Sequence, residues 1–160
     1  MSKRVEFHLV KVIQKLEIFC DLSQKEALEV LQLCQRRSFL EGEIIWNPGD
    51  PGDSMLVLLS GKLHVQNKES KVVGEVLPGC SFGEMACLSG NPRFVGFHVV
   101  ENSTALLLKR SALRSLISNN PHLYVRILEM TIGILGRRIT RNVSDKDSTE
   151  VDDSVNLSRW

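Results

Sequence analysis

The N-terminal part of the chain places its apolar residues at helical spacing. The first such run predicts an amphipathic helix over 3–18, with Val5, Leu9, Val12, Ile13 and Leu16 on one face. Ser23-x-x-Glu26 is a capping box and predicts the start of a second helix, over 23–37. The apolar face of this second helix is formed by Ala27, Val30, Leu31 and Cys34.

Between residues 39 and 110 the pattern changes to short apolar alternations that are interrupted by Gly, Pro, Asn and Asp. Such a pattern is typical of short antiparallel strands. The predicted strands are 43–46, 54–59, 62–66, 71–77, 95–100 and 104–109. Because many short strands with tight turns favour a closed or double-layered sheet, we predict an antiparallel jelly-roll barrel over 39–110.

Helical spacing returns after the strands. Ser111 is a candidate cap for a short helix over 111–118, and Asn120-Pro121 predicts the start of a long helix over 121–141. The apolar surface of the long helix is wider than one contact with a barrel needs, so we expect part of it to meet a partner, including a second copy of the chain.

Residues 142–160 are polar and mostly acidic, so we expect a flexible tail there. The fold class predicted from the whole pattern is mainly β with flanking helices (α+β): a barrel with N-terminal helices and a long C-terminal helix. Residues 1–141 are expected to form a single domain.

Composition excludes several classes of partner. The 160 residues include 20 Lys and Arg against 19 Asp and Glu, without a basic run that could follow a nucleic acid. The chain shows no apolar leader and no apolar run of membrane-spanning length. We therefore expect a cytoplasmic protein that binds neither nucleic acid nor membrane.

The candidate metal and catalytic groups do not form a pattern. The 4 cysteines lack a C-x-x-C pair, and the 4 histidines are scattered without a His-x-His pair. We expect the cysteines to pack as small apolar residues, with redox sensing by Cys80 and Cys87 as the alternative. The turn 47–53 lacks the acid spacing of a calcium loop and is expected to be solvated. We predict that the protein is not an enzyme and needs no metal or cofactor.

One segment of the predicted barrel carries residues suited to bind an anion. Gly79 and Gly83 let the backbone turn sharply and approach a ligand closely, and the run from Glu84 to Leu88 is suited to begin a short helix. The first turn of a helix offers unpaired N–H groups and a partial positive charge. The segment therefore predicts a phosphate site.

Two charged side chains refine this prediction. The planar fork of Arg93 matches two phosphate oxygens. Glu84 would be repelled by a phosphate, so it is expected to accept a hydrogen bond from a sugar hydroxyl. A phosphate together with a ribose indicates a nucleotide.

These residues resemble a known motif. Phe82-Gly83-Glu84-x-Ala86, followed by Pro92-Arg93, resembles the phosphate-binding cassette of cyclic nucleotide-binding domains. Further motifs in the order typical of that family precede it, namely Gly42-Glu43-x-Ile45, Gly49-Asp50-Pro51-Gly52-Asp53-Ser54-Met55 and Leu59-Ser60-Gly61-x-Leu63-x-Val65. The resemblance spans roughly residues 20–140.

The resemblance implies a regulatory module that binds cAMP or cGMP and relays binding by helix movement to a downstream protein partner. The ligand-binding residues that it implies are Phe82, Gly83, Glu84, Met85, Ala86, Pro92, Arg93, Phe94 and Val95. Candidates for contact with the base are Val73, Val76, Tyr124, Ile127, Thr131, Arg137 and Arg138. For the two arginines, a solvated helix end is the preferred interpretation.

The sequence departs from the family directly after Arg93. Where the family usually has small or hydroxyl residues, this chain has Phe94-Val95-Gly96. Three roles for the phenyl ring stay open: stacking on the base, shifting the ligand, or filling the pocket. The third role would leave a degenerate domain without a nucleotide ligand, acting in dimerisation or protein interaction.

Overall fold

The structure, a computed structural model, describes residues 14–149, with side chains as far as residue 140. Six strands are present in this range: β1 (Cys34–Phe39), β2 (Ile44–Trp46), β3 (Ser54–Gln66), β4 (Val72–Val76), β5 (Ser81–Phe82) and β6 (Gly96–Lys109). The helices are a 3₁₀ helix (Glu17–Phe19), α1 (Gln24–Leu33), α2 (Glu84–Ser89), α3 (Arg110–Asn119) and α4 (Pro121–Thr149).

The strands form one antiparallel sheet with the order β1-β6-β3-β4, in which β2 also pairs with β6 and β5 with β3. The predicted fold class, mainly antiparallel β with flanking helices and a long C-terminal helix, is confirmed. The sheet is not closed, however, because in the described residues β1 and β4 each pair with one neighbour only. The expected closed barrel is thus replaced by an open, bent sheet.

The first half of β3 is buried on both faces and separates two cores. Met55 and Val57 pack with the helices, whereas Leu56 and Leu58 pack with Phe82 on the other side. This alternation follows from the two-residue period of a strand. As a result, β3 lies between the helical core and the segment around Phe82 and contacts both.

The predicted second helix ends earlier than expected. Its capping box is present, since Glu26 N donates to Ser23 Oγ (3.3 Å) and Ser23 N donates to Glu26 Oε2 (2.9 Å). The helix stops at Leu33, because Cys34 adopts an extended backbone (φ −88°, ψ 147°) and starts β1. The ladder of β1 with β6, from Cys34↔Leu108 to Phe39↔Ser103, overrides the helical pattern.

The first predicted helix lies largely outside the described residues, which begin at Gln14. Within its last part, a turn precedes the 3₁₀ helix, so an α-helix reaching residue 18 is wrong. Leu16, the one residue of the predicted apolar face within the described range, is buried in the helical core together with Ile18 and Phe19. The apolar pattern thus predicted the burial of Leu16 but not its conformation, and its other members lie outside the described residues.

Four of the predicted strands merge in pairs into two long ones: 54–59 and 62–66 form β3, and 95–100 and 104–109 form β6. The pairing between β3 and β6 is irregular in their polar middle part, where the register between the two strands shifts around Ser60. Gly61 has φ +88°, and a Cβ at this position would lie 2.2 Å from Ser103 Oγ. A glycine is required because the two bent strands approach each other this closely.

The C-terminal helices also differ in their bounds. Helix α3 begins at Arg110 without a side-chain cap, so capping by Ser111 is wrong. Asn120 caps α4 as predicted, accepting from Leu123 N at 3.1 Å. Helix α4 continues to Thr149, so the expected tail from residue 142 begins inside a helix, and residues 150–160 lie outside the described range.

Among the described helices, none combines the length and apolar character needed to cross a membrane.

Helix α4 is tied to α1 by a charge pair. Arg126 Nη1 lies 2.7 Å from Glu26 Oε2, and the same carboxylate accepts from Ser23 in the capping box. The hydrogen bond from Ser23, followed by the pair with Arg126, holds the pKa of Glu26 below its ordinary value. Glu26 therefore stabilises the fold in its ionised form.

We predict that Glu26→Gln lowers the free energy of unfolding by about 1 kcal/mol at neutral pH, because the amide loses the charge-assisted contacts. Since the folded pKa lies below the unfolded one, this stabilisation is present above the unfolded pKa and is lost as pH falls through the folded pKa. Urea unfolding of both proteins between about pH 7 and about pH 3 measures this, and the difference between them should shrink in acid. Glu69→Gln, on an exposed turn, is the control. A difference that is independent of pH would contradict the assignment.

Candidate functional site

The segment 79–96, called the cassette below, has the backbone that the sequence predicted. Gly79 and Gly83 adopt positive φ (+93° and +77°), and α2 starts directly after Gly83. At Gly83 a Cβ would lie 2.6 Å from the Trp46 ring and 2.7 Å from Arg93 Nη1. Only glycine fits there, since both the conformation and the space exclude a side chain.

Arg93 is buried inside the cassette, with 3% of its surface exposed. Its Nη1 donates to the Gly83 carbonyl oxygen (2.9 Å), and its Nη2 donates to Ser54 Oγ at 3.4 Å. The nearest carboxylate oxygen is that of the exposed Asp53, 3.8 Å from Nη2. Burial lowers the pKa of Arg93, but an arginine remains protonated in a protein. The site therefore holds a fixed positive charge.

The ring of Trp46 forms the base on which Arg93 rests. The guanidinium carbon lies 3.5 Å from the ring centroid, a cation–π contact. Trp46 is held by Phe82 and Phe97, with ring centroids 5.7 and 5.8 Å away. No sequence motif identifies Trp46 as part of the site. Its position directly before the turn cluster is the only signal that could have singled it out.

The turn 47–53 supports the cassette and is not simply solvated as predicted. Arg93 N donates to Asp50 O (2.8 Å), and Gly49 N donates to Arg93 O (2.8 Å). Gly52 is buried, and a Cβ on it would lie 2.5 Å from the Ala86 carbonyl oxygen. These contacts fix the position of Arg93 from the backbone side.

Glu84, the first residue of α2, is buried with 2% of its surface exposed. Its carboxylate does not pair with Arg93; Oε1 accepts a hydrogen bond from Arg138 Nη1, and Arg138 Nη2 donates to Ser81 O at 2.6 Å. Arg137 pairs with Glu17 at 3.2 Å. The interpretation of both arginines as a solvated helix end is wrong, because α4 continues past them and they contact the domain.

Two buried polar atoms of the cassette lack a hydrogen-bond partner, Ser81 Oγ and Arg93 Nε. Buried polar groups are nearly always paired, so such atoms need an explanation. Both belong to residues next to the start of α2, where unpaired N–H groups are also expected. The arrangement is suited to bind an oxygen-rich anion.

The other predicted ligand-binding residues fall into two groups. Phe82 and Ala86 are buried and shape the cassette, while Val95 packs against the aromatic core. Met85, Pro92 and Phe94 are exposed at the surface. Because 57% of Phe94 is exposed, its ring does not fill the site, whereas stacking on a base and shifting the ligand both stay open.

The residues predicted to contact the base do not converge. Val73 is exposed on β4, whereas Val76 is buried in the core around Phe82. Ile127 is fully buried in the helical core, against which Tyr124 also packs. Thr131 is buried and donates to Ile127 O at 2.7 Å. In this conformation none of these buried residues is free to meet a base.

The cysteines of the described range are free thiols. Burial raises the pKa of Cys87 to about 11 and that of Cys34 to about 12, so neither is ionised near neutral pH. No cluster of metal-ligating side chains is present among residues 14–140.

Comparisons with known proteins place the chain in a family. The family model described as "Cyclic nucleotide-binding domain" matches residues 36–120. A crystal structure of a cyclic nucleotide-binding domain from Methylobacillus flagellatus has a TM-score of 0.80 at 22% identity, covering 95% of this chain and 88% of that one. At this identity the likeness establishes the fold.

Two curated relatives are longer proteins that match this chain over part of their length. The CRP-like cAMP-activated global transcriptional regulator of Mycobacterium tuberculosis is 25% identical over 148 residues, which are 88% of this chain and 64% of the regulator. The cAMP-dependent protein kinase regulatory subunit of Dictyostelium discoideum is 31% identical over 88 residues, which are 51% of this chain and 27% of the subunit. This chain thus spans less than two thirds of either relative. Since the family match covers more than half of its residues, the chain belongs to the cyclic nucleotide-binding domain family.

Proposed function

We propose that this protein is a regulatory module that binds a cyclic mononucleotide at the cassette and transmits binding through α4. The observation that supports this most directly is the buried guanidinium of Arg93, fixed between Trp46 and Gly83 O with its Nε unpaired. A buried charge that is only weakly balanced by an exposed Asp53 is costly for a purely structural residue. An anionic ligand would balance it.

The ligand's groups match the cassette one by one. The phosphate meets Arg93 and the N–H groups of the first turn of α2. A ribose hydroxyl donates to Glu84, the one buried carboxylate of the cassette. Glu84 and Ser81 are both bonded to Arg138 of α4, so occupancy of the cassette changes how α4 is held.

The proposed ligand is cAMP or cGMP. Relatives whose names include cAMP make cAMP the first nucleotide to test. The proposal needs no catalytic group and no further cofactor. We place the module in the cytoplasm, where a downstream protein partner would read the position of α4.

A second candidate function is an interaction module without a nucleotide. It is favoured by the fact that Arg93 and Glu84 already have protein partners. In that case the cassette is a structural element, and the output comes only from docking through the helices.

Both candidates accommodate a homodimer through α4. Val125, Ile132 and Ile139 follow one another at heptad steps and are 49%, 67% and 65% exposed. Leu128 and Leu135 lie between them. These five residues, called the stripe below, place β-branched residues at heptad position a and leucines at heptad position d. This alternation favours a parallel two-stranded coiled coil, which makes a second copy of the chain the proposed occupant.

We predict that Arg93→Ala weakens binding of cAMP by about 2–5 kcal/mol, because it removes the buried partner of the phosphate. Arg93→Lys is the matched variant: it keeps the charge, loses the fork, and should recover only part of the affinity. Calorimetric titration with cAMP and cGMP at up to millimolar concentration measures this. Absence of heat and of a thermal shift in the unmutated protein would favour the second candidate.

We predict that Gly83→Ala destabilises the protein by about 3 kcal/mol and abolishes nucleotide binding, because its Cβ meets Trp46 and Arg93. Gly79→Ala is the control, since Gly79 shares the positive φ but has open space around it, and should cost about 1 kcal/mol. Urea unfolding compares the two variants. Equal costs would mean that the conformation, and not the close approach, explains Gly83.

We predict that the protein is a dimer in solution and that Ile132→Glu converts it to a monomer, because a buried charge in the seam is costly. Ile117→Glu changes an exposed isoleucine of α3 (45%) outside the stripe and should leave the dimer intact. Sedimentation equilibrium measures both variants. A monomeric unmutated protein would remove this part of the proposal.

A further inference from the structure

Arg110, the first residue of α3, places its guanidinium against the C-terminal end of α2. A Cβ on Gly90, the C-cap of α2, would lie 2.8 Å from both Cζ and Nη2 of Arg110 and 3.0 Å from its Nη1. Because the central carbon is as near as the nitrogens, the guanidinium presents its face to Gly90. Its Nε is buried and lacks a hydrogen-bond partner within the part of the chain that the structure describes. A charged group held in this way needs an explanation.

The two ends of α2 are built alike. Gly83 precedes the helix and Gly90 follows it, both with positive φ (+77° and +78°), and each lies against the guanidinium of an arginine. The helix has 6 residues, too few to hold its position through its own hydrogen bonds, so contacts with other segments must fix it. A positive charge at its C-terminal end is also favourable to the helix dipole. Arg110 is therefore suited to fix this end of α2.

The backbone of Arg110 is held by the same turn that holds the backbone of Arg93. Arg110 N donates to the Asp53 carbonyl oxygen (2.7 Å), and Arg93 N donates to the Asp50 carbonyl oxygen (2.8 Å). Both acceptors belong to the turn 47–53. The arginine at the C-terminal end of α2 thus has a fixed position relative to the arginine that is proposed to meet the phosphate.

The position of Gly90 affects the phosphate site because Arg93 follows it by only three residues. A displacement of Gly90 would move both the end of α2 and the start of the segment that carries Arg93. The two arginines also act on one buried residue of α2. Burial raises the pKa of the Cys87 thiol to about 11, while the charges of Arg93 and Arg110 both act in the opposite direction.

We propose that Arg110 is a positioning residue of the phosphate site: its contact with Gly90 fixes the C-terminal end of α2, and thereby the orientation of the first turn of α2 and the position of Arg93. The inference rests on the proposed function and adds to it a residue that acts on affinity without touching the ligand. The 6 residues of α2 separate its two ends by about 9 Å, so Arg110 acts from the end opposite to the phosphate.

The test is a double-mutant cycle on the affinity for cAMP, measured by calorimetry in the full chain. Arg110→Ala removes the contact, whereas Gly90→Ala places a methyl group where the guanidinium lies and so displaces the arginine without deleting it. We expect Arg110→Ala to weaken binding about 10-fold. Gly90→Ala should weaken it about 10-fold in the unmutated protein but only about 2-fold in Arg110→Ala, because the contact is then already absent. Equal effects of Gly90→Ala in both backgrounds would overturn the inference.

Two further variants separate positioning from the loss of a charge. Arg114→Ala removes an exposed arginine one turn further along α3 and should bind cAMP within about 2-fold of the unmutated protein. Arg110→Lys keeps the charge but lacks the planar face, so it should remain about 5-fold weaker than the unmutated protein. Full recovery of affinity in Arg110→Lys would refute the positioning role. Arg110→Met, which keeps the aliphatic stem, replaces the alanine variant if that variant does not fold.

A measurement without ligand examines the position of α2 itself. Amide hydrogen exchange of residues 84–90 should be faster in Arg110→Ala than in Arg114→Ala, and equal rates would count against the inference. If the unmutated protein binds cAMP and Arg110→Ala binds it equally well, the positioning role is refuted and the proposed function stands. If the unmutated protein binds no cyclic nucleotide, the proposed function fails and the positioning role with it.

Discussion

The contact on which the cassette depends is the burial of the Arg93 guanidinium against Trp46 and under Gly83. Removing a charge of this kind from water costs several kcal/mol. The cation–π contact and the hydrogen bond to a carbonyl each return about 2 kcal/mol. Asp53 adds little, because its side chain is 79% exposed. The part of the desolvation cost that these contacts do not offset indicates that the fold holds the charge of Arg93 in place for a ligand. The unpaired Nε of Arg93 is a donor that such a ligand would satisfy.

That charge stays in place because several backbone segments converge on it. The turn 47–53 forms hydrogen bonds with both the N–H and the carbonyl group of Arg93. Gly83 lies so close that a methyl group on its Cα would collide with the guanidinium of Arg93. Behind the turn, β3 separates the aromatic core around Phe82 from the helical core. For the proposed relay between the helices and the cassette, the structure offers two connections: β3, and the hydrogen bonds from Arg138 to Glu84 and Ser81.

The parts of the fold that local chemistry determines could be predicted from the sequence. The capping box at Ser23, the cap at Asn120 and the glycine before α2 depend on residues close in sequence, and all three are present. Strand β1 could not be predicted in this way, because its helical pattern is overridden by pairing with β6. The same holds for the open sheet, since the sequence pattern does not indicate whether edge strands meet.

The site shows the same division between local and distant effects. Gly83, Glu84 and Arg93 were identifiable because the family motif places them within one short segment. Trp46 and Arg138, which hold two of these residues, come from distant segments and carry no motif. Their roles follow only from tertiary distances, such as 3.5 Å from the Arg93 guanidinium to the Trp46 ring.

The unusual residues after Arg93 have a steric explanation at one position and a functional consequence at the others. At Gly96 a Cβ would lie 3.1 Å from the Trp46 carbonyl oxygen and 3.2 Å from Pro48 Cδ, so a side chain at the start of β6 would require these neighbours to shift by a few tenths of an ångström. Phe94 and Val95 offer only their backbone N–H groups as hydrogen-bond donors to a ligand, because neither side chain carries a hydroxyl. A phosphate bound there is recognised by features that all cyclic nucleotides share. For the proposed ligand, discrimination between bases therefore has to come from contacts other than these N–H groups, and stacking on the exposed ring of Phe94 would not distinguish the two purines.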